Sequence, residues 1–213
     1  MTVTKPLSIR MIRRLPRYYA MIEAAYQQGA TQISTTAIAE HLNLEPIVVR
    51  KDLEQIGAEG KPRLGFEAKD VLERIASFLD WNTLNQLILV GCGDLGSVLL
   101  GYAGFAQRGF EIVAGFDSDP AKIGAAIHGK EVFPLAKMVD LCQRLHIAMG
   151  IIAVPPTQAQ TVAELMIASG IRGIWNFSPA ALNVPKHVLV QQEDLITSLV
   201  ILEKNLQQLT AVS

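Results

Sequence analysis

The residues Gly91-Cys92-Gly93-Asp94-Leu95-Gly96 form a pattern that can hold a pyrophosphate, since glycine permits a tight turn and lets backbone approach phosphate closely. Asp117 follows Gly96 by 21 positions, near the spacing of about 20 at which an acidic residue accepts hydrogen bonds from ribose hydroxyls. Its charge would repel a 2′-phosphate. The pattern therefore predicts binding of NAD(H) rather than NADP(H), while a glycine-rich turn that serves only packing is the alternative.

The elements that must position these residues are also present in the sequence. An apolar strand, Leu87 to Val90, precedes the turn, an apolar helix is predicted from Leu95 to Ala106, and a second strand runs from Phe110 to Phe116. The phosphates are expected at the positive end of that helix. The predicted cofactor contacts here are Gly91, Cys92, Gly93, Asp94, Leu95, Gly96, Asp117 and the adjacent Ser118.

Further strands and helices alternate along the chain, which predicts a Rossmann-type, doubly wound parallel sheet of the α/β class. The predicted helices are 135–145 and 158–169, and the predicted strands are 148–154 and 173–177. Ligands of such sheets bind beyond the carboxyl ends of the strands. Residues at two of these ends are therefore predicted to line the nicotinamide half of the site, namely Val154, Pro155, Phe177 and Ser178.

The first eighty residues have a different pattern. Apolar residues at helical spacing predict three helices, at 14–28, 36–41 and 46–56, with Ser34 or Thr35 as the N-cap of the second. Glycines and a proline punctuate 57–68, which predicts a two-stranded hairpin. Three helices followed by a hairpin indicate a winged-helix DNA-binding domain.

Basic residues occur where a winged helix meets DNA. Arg50 and Lys51 lie on the third helix, and Lys61 and Arg63 lie at the hairpin tip. Residues 1–65 hold nine Lys or Arg against six Asp or Glu, a balance of +3. A solvated helix face, with Arg50 and Lys51 paired to Asp52 and Glu54, is the alternative. The predicted DNA contacts are Arg14, Ser34, Thr35, Arg50, Lys51, Lys61 and Arg63.

Composition excludes other classes. Half of the 213 residues are apolar, yet the longest uncharged stretch, 145–163, contains two prolines and is not typical of a membrane span. Neither the two cysteines nor the four histidines have metal-ligand spacing, so we expect no metal. The N-terminus lacks an apolar signal core, and the protein is expected to be cytoplasmic.

The C-terminal segment is strongly amphipathic. Asp194 is a candidate N-cap, and it is followed by leucines spaced four, three, four and three, at 195, 199, 202, 206 and 209. Such a helix must pack against its own sheet or against a partner subunit, and the need of a DNA-binding domain for a twofold partner favours a homodimer. The predicted domains are 1–80, 81–193 and 194–213.

With these pieces in place, the chain resembles the Rex family of bacterial redox-sensing transcriptional repressors. The similarity runs through RLPRYY (14–19), VVRKDL (48–53), the wing G-x-x-x-x-G (60–65), VGCGDLG (90–96), GYAGF (101–105), RGF-x-IVA-x-FD-x-DP-x-KIG (108–124) and NF-x-P-x-x-LNVP (176–185).

The resemblance implies a homodimer with exchanged C-terminal helices that binds a palindromic double-stranded operator and releases it when NADH, rather than NAD⁺, occupies the Rossmann domain. It also implies that Tyr102 and Asp194 lie around the nicotinamide and across the dimer. This chain departs from the family at Ala20, where some members have an Arg that partners that pair, and in the wing, where Pro62-Arg63-Leu64 replaces Arg-Gly-Val.

No His, Lys or Tyr stands at an obvious catalytic motif for hydride transfer, so we predict no catalytic residues and no enzyme activity. Two alternatives stay open. One is a regulator that senses a different nucleotide, and the other is an NAD-dependent oxidoreductase with an N-terminal extension.

Overall fold

The computed structural model describes residues 8–210. The chain divides into two compact units between Thr83 and Leu84, close to the predicted boundary at residue 80. None of the helices within 8–210 combines the length and the hydropathy that crossing a bilayer requires.

The first unit is a winged helix. Its elements are α1 (Ile9–Gln27), β1 (Gln32–Ile33), α2 (Thr35–Leu42), α3 (Pro46–Gln55), β2 (Phe66–Glu67) and α4 (Ala68–Phe78). One face of α1 is buried, at Met11, Leu15, Tyr18 and Ile22, which is the spacing of a helix stripe. Because Met11 extends that stripe toward the N-terminus, α1 begins five residues earlier than the predicted Arg14.

The wing differs from the hairpin predicted within 57–68. In that segment the only ladder contact is a bridge between Lys61 and Gly65, and β2 pairs instead with β1, Ile33 opposite Phe66. A Cβ on Gly65, whose φ is +85°, would lie 2.5 Å from the carbonyl oxygen of Ile33. Glycine is therefore required where the wing crosses β1.

The second unit is built on a seven-stranded sheet. Its strands are β3 (Asn85–Val90), β4 (Phe110–Asp117), β5 (Ala126–Ile127), β6 (Lys130–Pro134), β7 (Met149–Ile152), β8 (Gly173–Asn176) and β9 (Leu189–Gln192). The order is β5-β6-β4-β3-β7-β8-β9, and all neighbours are parallel except β5 and β6. The predicted doubly wound parallel sheet is confirmed, while β5, β6 and β9 were not predicted.

Helices cover both faces of this sheet. They are α5 (Asp94–Leu100), α6 (Met138–Arg144) and α7 (Pro156–Ala168). One buried cluster joins Ile88 and Phe116 to α6 and α7, and a second joins Leu89 and Leu100 on the other face. The predicted helix 95–106 is too long: α5 ends at Leu100, because the segment from Gly101 to Gly104 interrupts it and only a short 3-10 turn, Ala106–Arg108, follows.

The C-terminal helix, α8 (Leu195–Thr210), begins as predicted. Asp194 accepts hydrogen bonds from the backbone N–H of Ile196 at 3.0 Å and of Thr197 at 3.2 Å, which makes it an N-cap. From Ile196 to Gln208 every residue is exposed. For residues 196–208, packing of this apolar stripe on the chain's own sheet, one of the two sequence-based possibilities, is therefore not found.

Candidate functional site

The turn between β3 and α5 has the backbone shape that the glycines predict. Gly91 has a φ of +97°, and a Cβ there would lie 2.5 Å from the carbonyl oxygen of Ala153, the residue that follows the neighbouring strand β7. A Cβ on Gly96 would collide with the carbonyl oxygen of Gly91, whereas a Cβ on Gly93 would meet nothing within 4 Å. Gly91 and Gly96 are thus required by packing, and Gly93 leaves open space beside the turn.

Asp117 ends β4 beside this turn and is nearly buried, with 8% of its surface exposed. Its Oδ2 accepts hydrogen bonds from the backbone N–H of Cys92 at 2.8 Å and from Lys122 Nζ at 3.3 Å, and its Oδ1 accepts one from the backbone N–H of Asp119 at 2.9 Å. Burial alone would raise the pKa of Asp117, but these hydrogen bonds outweigh it and hold the pKa below its ordinary value. The carboxylate is therefore charged and fixed in orientation.

The turn and Asp117 open onto a cleft of about 280 Å³. Six of the predicted cofactor contacts line it, namely Gly91, Gly93, Asp117, Ser118, Val154 and Pro155. Lys122, Leu135 and Gln158 also line it and were not predicted. Lys122 could have been found in the sequence because it follows Asp117 by five residues, on the loop after β4.

The other residues of the turn contribute in different ways. The Cys92 side chain points into the core, with its thiol 3.6 Å from the carbonyl oxygen of Phe116, and burial raises its pKa to about 11. It acts on the site through its backbone N–H. Asp94 and Leu95 are exposed in the first turn of α5, which is only seven residues long.

Four predicted contacts that are not part of the glycine turn also lie outside this cleft. Tyr102 is 59% exposed and borders a separate cavity of about 360 Å³ with Phe105 and His128, and Asp194 caps α8. Phe177 packs against Trp175 with ring centroids 4.6 Å apart, and Ser178 is buried, its N–H bonded to Asn176. Their roles at the nicotinamide stay predictions.

The winged-helix unit carries its basic residues on the surface. Arg50 and Lys51 are exposed on α3, and Lys61 and Arg63 are exposed in the wing. Arg63 has a φ of +65°, in the left-handed region that glycine favours. Ser34 caps α2 by accepting a hydrogen bond from the N–H of Ala37 at 3.0 Å.

Two of the predicted DNA contacts, Arg14 and Arg50, form ion pairs within the domain. Arg50 lies 3.4 Å from Glu54 one turn later on α3, with both side chains more than half exposed, so this part of the solvated-face alternative is present in the structure. Asp52 is not on that face. It is 5% exposed and binds Arg14, a predicted DNA contact, whose side chain is only 21% exposed.

Among the described residues, no three His, Cys, Asp or Glu side chains are grouped so that they could hold a metal ion. The second unit therefore has a glycine-lined cleft beside one fixed carboxylate, and the first unit is a winged helix with exposed basic residues.

Two family models match the chain. One, described as the N-terminus of a putative DNA-binding protein, covers residues 7–54, and the other, described as a CoA binding domain, covers residues 82–180. The first match falls in the first structural unit, and the second falls almost wholly in the second unit.

Relatives match over most of their length. A redox-sensing transcriptional repressor Rex from Treponema denticola is 41% identical over 184 residues, covering 86% of this chain and 88% of that protein. One from Carboxydothermus hydrogenoformans is 39% identical over 197 residues, covering 92% and 95%.

Solved structures of a similar protein match nearly the whole chain. RSP, in crystals with β-NAD⁺ and operator DNA, superposes with a TM-score of 0.89 at 28% identity, covering 98% of this chain and 96% of RSP. RSP with β-NADH gives a TM-score of 0.88, covering 98% of both chains. These relatives are named as repressors and not as enzymes. The chain belongs to the Rex family of redox-sensing transcriptional repressors.

Proposed function

We propose that this protein is a transcriptional repressor that binds a palindromic operator as a homodimer and releases it when NADH occupies the cleft between Gly91 and Asp117. The observation that carries the proposal is the similarity over 98% of the chain to RSP, which was crystallised with operator DNA and β-NAD⁺ and also with β-NADH. The fixed carboxylate of Asp117 and the open space beside Gly93 support a dinucleotide as the effector.

The response to redox state must come from the nicotinamide. NAD⁺ and NADH share every ribose and phosphate, so contacts to those groups cannot distinguish them, and only differential affinity for two protein states shifts the equilibrium. The oxidised ring is positively charged and the reduced ring is neutral. Apolar side chains around the ring, with Val154 in the cleft and Phe177 and Tyr102 as predicted further contacts, would favour the neutral ring by desolvation, and a hundredfold preference needs only about 2.7 kcal/mol.

The DNA side of the proposal uses α3 as recognition helix in the major groove and the wing along the backbone or minor groove. Arg50 and Lys51 would contact base edges in the major groove. Lys61 and Arg63, in the wing, would contact the adjacent DNA backbone or minor groove. Two copies would place two such helices on half-sites about one helical turn, or a multiple of it, apart. The apolar side chains of α8, exposed in the single chain, support a partner that covers them. The relatives are bacterial, and we place the protein in the cytoplasm, where their chromosome and NAD pool are.

A mobility-shift assay tests the proposal. The full-length protein selects a palindromic duplex from a randomised pool, and NADH, NAD⁺, NADPH or coenzyme A is then added in turn. We expect release by NADH at concentrations at which NAD⁺ and NADPH leave the complex intact. Coenzyme A is included because of the matching domain model, and its ribose 3′-phosphate would meet Asp117 as a like charge. Equal effects of NADH and NAD⁺ would contradict redox sensing, and release by coenzyme A alone would assign a different effector.

A further inference from the structure

Three side chains form a hydrogen-bonded cluster between α1 and α3. Arg14 donates from Nε to Asp52 Oδ2 at 2.7 Å and from Nη2 to Asp52 Oδ1 at 2.8 Å, a bidentate pair. The Tyr18 hydroxyl donates to Asp52 Oδ2 at 2.8 Å. Tyr18 is fully buried, and burial together with the Asp52 charge raises its pKa, so it stays a donor. The cluster joins residues that are 38 and 34 positions apart in the sequence.

Asp52 lies on the inner face of α3, directly after the two basic residues of its outer face. Val49 and Leu53 are buried beside it, whereas Arg50 and Lys51 are exposed. Apolar contacts hold α3 against the domain, but they are non-directional. Three hydrogen bonds to one carboxylate are directional, and they fix the rotation and the position of α3 along its own axis.

Stability does not explain this cluster. Burying an ion pair carries a desolvation penalty that often exceeds the attraction, so an apolar trio of similar volume would serve the fold as well. What the cluster supplies is geometry, and base recognition requires it because a bidentate base contact tolerates little displacement.

We propose that Arg14 and Tyr18 are positioning residues for the recognition helix, and that Arg14 acts through Asp52 and not as a phosphate contact. The inference rests on the proposed DNA-binding function. Two other arginines of α1 offer a matched comparison, because Arg13 and Arg17 are exposed on the same helix. Their exposed side chains are accessible to a DNA backbone.

The test uses the full-length protein and two duplexes of about 30 base pairs, one selected by the wild-type protein from a randomised pool and one with both half-sites scrambled. The dissociation constants are measured between about 50 and 200 mM salt for Tyr18→Phe, Arg14→Lys, Arg14→Met and Arg17→Met. Thermal unfolding and circular dichroism of each variant identify any loss of folded winged helix, and NADH titration checks that the second unit is unchanged. Tyr18→Phe removes one oxygen and leaves the core packed, so it stays informative if the Arg14 variants unfold.

We expect Tyr18→Phe, Arg14→Lys and Arg14→Met to reduce the preference for the selected duplex by about tenfold, roughly the discrimination that one well-placed base contact provides. Their affinity for the scrambled duplex and the slope of log K against log salt should not change. Arg17→Met should weaken binding to both duplexes alike. It should also reduce the magnitude of that slope by about 0.9, which corresponds to the loss of one phosphate contact.

A lower salt slope in Arg14→Met, together with wild-type behaviour of Arg14→Lys, would overturn the inference, because lysine can replace arginine on phosphate but not in a bidentate pair with Asp52. An unchanged preference in Tyr18→Phe would also overturn it while leaving the proposed function intact. If the wild-type protein selects no duplex, the proposed function fails and the inference fails with it.

Discussion

The substitution Asp117→Asn should change which dinucleotide the cleft accepts. A carboxylate accepts about four hydrogen bonds, and three donors of the chain already use Asp117, from Cys92, Asp119 and Lys122. The fourth acceptor position of the carboxylate can therefore accept a hydrogen bond from a ribose hydroxyl. The position that Lys122 uses can accept a second one if the Lys122 side chain moves away. The amide group of the substituted side chain has one acceptor atom and no charge, so it cannot replace these contacts.

The expected magnitude follows from the charge. Hydrogen bonds to ionised groups contribute about 1.5–3 kcal/mol, so NADH affinity should fall by about 10- to 150-fold. NADPH should bind more tightly than it binds to the wild-type protein, because the repulsion of its 2′-phosphate is removed and Lys122, 3.3 Å from the carboxylate in the structure, becomes available to that phosphate.

Isothermal titration with NADH and NADPH measures both effects. Asp119→Asn is the matched control: its carboxylate is 4.0 Å from Lys122 and 47% exposed, so both affinities should change by less than about fivefold. Adding Lys122→Met to Asp117→Asn should abolish the gain in NADPH affinity. If NADPH binds Asp117→Asn no better than it binds the wild-type protein, or if Asp119→Asn has the same effect, the assignment of Asp117 as the residue that excludes a 2′-phosphate is refuted.

Four further predictions concern the rest of the molecule. Glu54→Gln should raise the affinity for scrambled DNA several-fold, because it frees Arg50 from an exposed ion pair; an unchanged dissociation constant would contradict this. Arg63→Asn should keep the left-handed wing turn, and hence the melting temperature, while weakening operator binding in a mobility shift. Gly96→Ala should abolish NADH binding in titrations, because its Cβ would collide with the Gly91 carbonyl; binding at wild-type affinity would show that the turn can relax. Burial raises the pKa of Cys142 from 9.0 to about 11. Because only the unfolded chain then loses the thiol proton between pH 9 and 11, the stability advantage of wild type over Cys142→Ala should be constant below pH 9 and fall between these values, by up to about 1.4 kcal/mol per pH unit. Urea unfolding measures this, and a difference that stays constant with pH would refute it.

Sequence patterns predicted the central strands of the sheet and missed those nearer its edges. β3, β4, β7 and β8 are mostly apolar strands at the centre of the sheet, and their positions were predicted within one or two residues. β6 and β9, KEVFP and LVQQ, lie nearer the edges and mix polar with apolar residues without a clear period. The end of α5 was missed because apolar residues continue beyond Gly101.

The candidate site was predictable where local chain geometry determines it. The glycine turn and Asp117 are close in sequence to the strands that carry them, so spacing alone located them. Asp52 entered the sequence analysis only as a possible partner of Arg50 and Lys51 in the solvated-face alternative, because nothing in its local sequence indicates that Arg14 and Tyr18 reach it from more than thirty residues away. Lys122 was overlooked for a related reason, since a lysine on a loop after a strand is usually only solvated.

The bare apolar helix at the C-terminus has a genetic consequence. Ile196, Leu199 and Ile201 are each more than half exposed in the single chain, and the second copy that we propose to cover them would make every functional unit a pair of subunits. A copy with an intact α8 and a disabled recognition helix, such as Arg50→Ala, would still pair with normal copies. Expressed in excess beside the normal gene it would trap most subunits in pairs with one working helix, so the mutant allele should be dominant.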